Sequence, residues 1–157
     1  MRFARFGLVV IASAPLWGQS LQVSPSAAAP GEAGSFLIKL TTPKGKEVVA
    51  LQWQVALPLE IAIDPGSIVS GSAAEAAQKS ITCASVEKQN RSGPRYACIL
   101  AGGKKAIGDG PVATVRYRIR NGASAGTVAV RIEKAIGVAG DLRKIDLGSV
   151  DGTITIH

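Results

Sequence analysis

An all-β fold, a single β-sandwich of about eight or nine strands with one short helix, is what this sequence predicts on three observations. Its 18 glycines and 8 prolines fall between apolar runs of strand length. Sustained helical periodicity is missing. The stretch from Ile107 to Ile132 holds two alternating runs, bounded by turn residues at Gly108 to Pro111 and Asn121 to Gly126. In the first run Ala113, Val115, Tyr117 and Ile119 point one way, and Thr114, Arg116, Arg118 and Arg120 point the other. A strand with one apolar and one cationic face needs a second layer over the apolar side.

At 157 residues the chain supports one domain with a real core. Residues 1–18 have the layout of a secretory signal peptide: Arg2 and Arg5, an apolar run from Phe6 to Leu16, and the small residue Gly18 before Gln19. That run is shorter than the roughly 20 residues of a membrane span, so no membrane segment is expected after cleavage. Residues 19–157 form the mature domain, and its location is secreted or periplasmic.

The elements follow in order. A short strand is expected at Leu21 to Val23, and a largely buried one at Ser35 to Thr41. The turn Pro43-Lys44-Gly45-Lys46 then reverses the chain. Val48 to Leu57 forms a long strand with Val49, Leu51, Trp53, Val55 and Leu57 on one side and Ala50, Gln52, Gln54 and Ala56 on the other. Trp53 could serve as a sugar-stacking platform, but its parity places it with four aliphatic residues in the core. Leu59 to Ile63 continues with Leu59, Ile61 and Ile63 inward. Ser72 to Lys79 carries a capping-box spacing, Ser72 with Glu75, and good helix formers, which predicts the one helix. Val150 to Ile156 closes the domain, with Val150, Ile154 and Ile156 on one side.

The two cysteines, Cys83 and Cys98, lie in runs Ser80 to Val86 and Arg95 to Ala101, joined by a polar loop. A hairpin with its tip at Asn90 and Arg91 sets them directly opposite, and sets Ile81 opposite Leu100. A structural disulfide follows, which suits an exported protein. A redox or metal pair lacks a CxxC spacing and a histidine partner, because His157 is the sole histidine.

The net charge of +7 raises nucleic acid as a partner. Beyond the leader only Phe36, Trp53, Tyr96 and Tyr117 are aromatic, and the basic residues are scattered among acidic ones, so no base-stacking platform is expected. The glycines of Ala101 to Ala106 do not follow phosphate-loop spacing. With no Ser-His-Asp or Cys-His set to assemble, and Asp109 and Asp141 linked by nothing in the sequence, no enzyme, cofactor or metal is expected.

A family resemblance adds to this reading. Ala50-Leu-Gln-Trp-Gln-Val-Ala-Leu-Pro58, Leu59-Glu-Ile and Pro65-Gly-Ser-Ile-Val-Ser-Gly71, followed by the Gly108 to Ile132 stretch and Val150-Asp-Gly-Thr-Ile-Thr-Ile, resemble the bacterial cohesin pattern. The resemblance implies a nine-stranded jelly roll related to carbohydrate-binding modules. It also implies docking of a dockerin module, which supplies the calcium, in the attachment of polysaccharide-degrading enzymes to scaffolds. Under that arrangement the strand of Gln52 and Gln54 lies beside the strand of Thr114, Arg116 and Arg118. These five side chains then share one outer face suited to a dockerin-like module or an acidic protein surface. The alternative is a carbohydrate-binding module on the same sandwich, for which Tyr96, opening its strand beside the polar loop, is the least settled aromatic.

Overall fold

The computed structural model of the chain describes residues 18–86 and 93–157. The leader, apart from Gly18, and the hairpin tip at Asn90 and Arg91 lie outside the described residues. Alternating sequence produces the strands in chain order: β1 (Ser20–Val23), β2 (Ser26–Ala28), β3 (Ala33–Thr41), β4 (Val48–Ala56), β5 (Ile61–Ala62) and β6 (Ile68–Ser70). The helix α1 (Ser72–Ala76) follows, then β7 (Ser80–Ser85), β8 (Arg95–Ala101), β9 (Gly110–Ile119), β10 (Gly126–Ala139), β11 (Lys144–Asp146), β12 (Gly148–Val150) and β13 (Gly152–Ile156). A 3-10 turn, Pro65–Ser67, precedes β6. The expected eight or nine strands correspond, among the described residues, to eight of four residues or more, the others being two- and three-residue additions at the sheet margins.

Two sheets form. One has the order β12-β1-β3-β9-β5, with β6 also paired to β9. The other has the order β2-β13-β10-β4-β8-β7, with β11 also paired to β10. Their inner faces supply one continuous core in which Phe36, Ile38 and Leu40 of β3 and Val115, Tyr117 and Ile119 of β9 come from the first sheet. Leu51, Trp53 and Val55 of β4, Tyr96, Cys98 and Leu100 of β8, and Ile154 and Ile156 of β13 come from the second. Strands buried on one face and solvated on the other explain the period of two along each of them.

Trp53 and Tyr117 are both turned into this core, as their parity predicts. The Tyr117 hydroxyl lies 2.7 Å from Ser26 Oγ, which in turn donates to Ser35 O at 2.8 Å. Room for the phenol comes from Gly34 opposite it, where a Cβ would fall 2.5 Å from the ring. The hairpin register also holds: Cys83 faces Cys98 and Ile81 faces Leu100, with the disulfide closed between β7 and β8.

Local chemistry departs from the expected pattern in five places. Val49 is only half-buried and its neighbour Val48 takes the inward place, because the register of β4 shifts between Val138 and Ala139. Leu59 is 55% exposed, because Ile61 N donates to Pro58 O and folds Pro58 to Ile61 into a turn; the strand is left with only two residues. The helix begins one residue earlier than the capping-box spacing implies: Gly71 is the N-cap, Glu75 N donates to its carbonyl, and Ser72 makes no capping bond. Val150 is 46% exposed, since the expected closing strand divides between the sheets, β12 pairing in parallel with β1 and β13 antiparallel with β10. Finally, β10 runs seven residues past Ile132 through a bulge at Lys134, whose φ of 50° shifts the inward positions from Val130 and Ile132 to Ala135 and Gly137.

Candidate functional site

The strand pairing decides which outer faces exist. Gln52 and Gln54 lie on β4, between β10 and β8. Thr114, Arg116 and Arg118 lie on β9, between β3 and the pair β5 and β6 in the other sheet. Each of the five points outward as expected, but the expected common face does not form: the glutamines and the β9 residues are on opposite sides of the sandwich. The physical reason is topological. Alternation tells which side of its own sheet a residue occupies, and in a two-layer fold both sheets have an outer side.

The face containing Gln52 and Gln54 is built from cross-strand rows. Thr82 of β7 pairs with Ile99 of β8, Ile99 with Gln52 of β4, and Gln52 with Ile136 of β10. The adjacent row is Ala84, Ala97, Gln54 and Glu133. Ala50 and Ala56, at either end of β4, point to the same side, so the surface has low relief. Ile99 is 52% exposed at its centre. Its borders are charged: Arg95 Nη2 lies 3.1 Å from Glu133 Oε2, exposed Arg131 pairs with Ala56, and Asp146 and Lys144 of β11 pair with Ile136 and Val138. Small side chains, two amides and an uncovered isoleucine form a sheet face that can be dehydrated at little cost, while its amides can be satisfied by a partner's backbone.

The opposite face is cationic. Arg116 and Arg118 are exposed and border a shallow cleft of about 370 Å³ with Ala62, Asp64 and Ser67. Arg118 Nη1 donates to Gly31 O at 2.6 Å, and Arg120 Nε, one residue past β9, donates to Leu59 O at 2.9 Å, so both arginines fasten neighbouring loops.

Sequence reasoning missed Ile99, Thr82 and Ile136. The signal for Ile99 was present: once Tyr96, Cys98 and Leu100 are taken as inward, the residue between the last two must face water. For Ile136 there was none, because the bulge at Lys134 reverses its parity.

The candidate aromatics and carboxylates have structural roles. Phe36, Trp53, Tyr96 and Tyr117 are all buried. Tyr96 donates to Ile63 O at 2.7 Å, and burial, reinforced by the Asp64 charge, pushes its phenol above the ordinary range. Asp109 Oδ1 accepts from Thr42 N and Thr42 Oγ1, and Asp141 accepts from Arg143. Among the described residues no group of three or more His, Cys, Asp or Glu side chains is placed to hold a metal ion.

These features define a two-layer jelly-roll sandwich that presents an open sheet face with an uncharged centre. No protein-family model matches the chain, and neither does any curated protein. Solved structures do, cohesins among them. A type I cohesin–dockerin complex from Clostridium thermocellum, Coh-OlpA-Doc918, has a TM-score of 0.70 at 15% identity, covering 88% of this chain and 99% of that one. A non-cellulosomal cohesin from the hyperthermophilic archaeon Archaeoglobus fulgidus has a TM-score of 0.67 at 13% identity, covering 88% and 91%. CaCohA2 from Clostridium acetobutylicum has a TM-score of 0.65 at 12% identity, covering 89% and 91%. The likeness at these identities is one of fold, and it extends over almost the whole described chain.

Proposed function

We propose that this chain is a secreted, non-catalytic docking module that binds a dockerin-like protein partner in a polysaccharide-degrading context, through the outer face of β10, β4, β8 and β7. The carrying observation is the row Thr82, Ile99, Gln52 and Ile136, which presents an uncovered isoleucine beside an amide on a shallow sheet face. The likeness to cohesins solved as dockerin complexes supports the choice of partner. The Cys83–Cys98 disulfide and the leader's layout support export into an oxidising compartment. Gln52 and Gln54 remain in the proposed interface; Thr114, Arg116 and Arg118 leave it. A carbohydrate-binding surface of stacked aromatics finds no support, since the four aromatics of residues 19–157 are all in the core.

Capture from the native secretome tests the proposal. The immobilised chain should retain a dockerin-bearing protein when calcium is present and release it on chelation. Ile99→Asp should lose about 2 kcal/mol or more of binding, roughly thirtyfold in affinity, because it removes an apolar anchor and buries a carboxylate. Arg116→Glu, on the opposite side, should bind like the unaltered chain. No capture under either condition, or equal damage from both substitutions, would overturn the proposal.

A further inference from the structure

The sheet around β9 has a gap in its pairing. On one side β9 pairs with β3 from Gly110 to Arg118. On the other, β5 pairs with Ile119 and Arg118 and β6 with Val115, Thr114 and Ala113, so Arg116 and Tyr117 have no strand partner there. Between β5 and β6 the chain passes through Asp64 and the 3-10 turn, and the shallow cleft of about 370 Å³ lies beside this gap. Its polar groups are of two kinds. Arg116 pairs with Ser35, and Arg118 with Ala33 and Ala62, so small cross-strand neighbours leave both guanidiniums uncovered. The bond to Gly31 O holds Arg118 in place before any ligand arrives. Across the cleft Asp64 is exposed and makes no capping bond to the turn it precedes, and Ser67 adds a hydroxyl. Among the described residues neither Arg116 nor Asp64 enters an ion pair, so a cation and an anion line one concavity without satisfying each other.

We propose that this cleft binds a sugar acid, a uronate residue of an acidic polysaccharide, with Arg116 on its carboxylate and Asp64 and Ser67 on its ring hydroxyls. The mixed lining selects this occupant. A guanidinium fork matches a carboxylate. An ionised Asp64 only accepts hydrogen bonds, so the ligand must also donate, as a sugar hydroxyl does. A nucleic acid would set phosphates against Asp64 and finds no exposed aromatic among the described residues to stack on. An acidic peptide repeats the carboxylate without the hydroxyls, and a neutral sugar leaves Arg116 unmatched. The cleft is on the opposite sheet from the docking face, and its reading is independent of the docking partner.

Calorimetric titration of the mature chain with trigalacturonic acid tests it, beside the methyl ester of that oligomer, inorganic phosphate and a glutamate-rich peptide. The expected result is saturable binding of the acid, with the ester at least about tenfold weaker. Arg116→Gln should weaken binding of the acid about tenfold. Asp64→Ala separates recognition from charge attraction: it should weaken the acid severalfold while strengthening phosphate and the peptide, because a like charge has gone. Ile99→Asp, on the other sheet, should leave all four unchanged. Far-ultraviolet circular dichroism confirms that each variant is folded. No binding of the acid overturns the proposal, as do equal binding of the ester, tighter binding of phosphate or the peptide, or a gain in affinity for the acid on Asp64→Ala.

Discussion

Buried polar side chains show how single residues fix this fold. Tyr96 and Tyr117 each place a ring in the core and a hydroxyl on an oxygen, Ile63 O and Ser26 Oγ respectively, so neither polar tip is stranded. Lys79 does the same with a charge: its residue is buried, and its Nζ donates to Gly102 O and Gly103 O, clasping the loop after β8 to the end of α1. Burial lowers its pKa, since desolvation penalises the ammonium. Tyr96 yields a pH prediction. Its folded pKa lies above the ordinary 10.0, first through burial and then through Asp64, so the unfolded chain gives up the phenolic proton sooner. The stability this group contributes is therefore complete below pH 10.0 and lost as pH climbs through the raised folded value. Tyr96→Phe should cost about 1 kcal/mol at neutral pH through the lost hydrogen bond, and should flatten the alkaline decline. Urea unfolding of both proteins from pH 7 to 11 measures it; parallel declines would contradict the assignment. That Tyr96 is inward was not legible in its surroundings, since it opens a strand beside a polar loop. Its acceptor comes from Ile63, 33 residues away.

Among the elements, β7 and β8 were the most legible and β10 the least. Two alternating runs joined by a polar loop, with one cysteine in each, fix a hairpin register that any other pairing would break. Alternation in β10 is interrupted by the bulge at Lys134, so a strand continuing to Ala139 looks in sequence like one that stops at Ile132. Ile136 was lost with it. The disulfide has a measurable weight at this scale. It closes a separation of 15 residues, and replacing Cys83 and Cys98 together by alanine should lower stability by about 3 kcal/mol. Faster hydrogen exchange should be concentrated in β7, the edge strand that loses its tie, with β3 and β9 little changed. Uniformly faster exchange across both sheets would show that the bridge holds the whole sandwich.

For the whole molecule, the layered fold could be inferred from parity, but the assignment of strands to layers could not. Trp53 and Tyr117 were placed correctly because the interior is common to both sheets. Gln52 and Gln54 were wrongly joined to Arg116 and Arg118 because the exterior is not. The consequence for function is a separation of surfaces: an uncharged centre around Ile99 with charged borders on one side, and Arg116 and Arg118 on the other. Hydrogen exchange of the chain, free and bound to its captured partner, tests that separation most directly. Slower exchange on binding should fall in Ser80–Ser85, Arg95–Ala101, Val48–Ala56 and the bulged part of β10, with Gly110–Ile119 unchanged. Slower exchange centred on β3 and β9 instead would contradict the account.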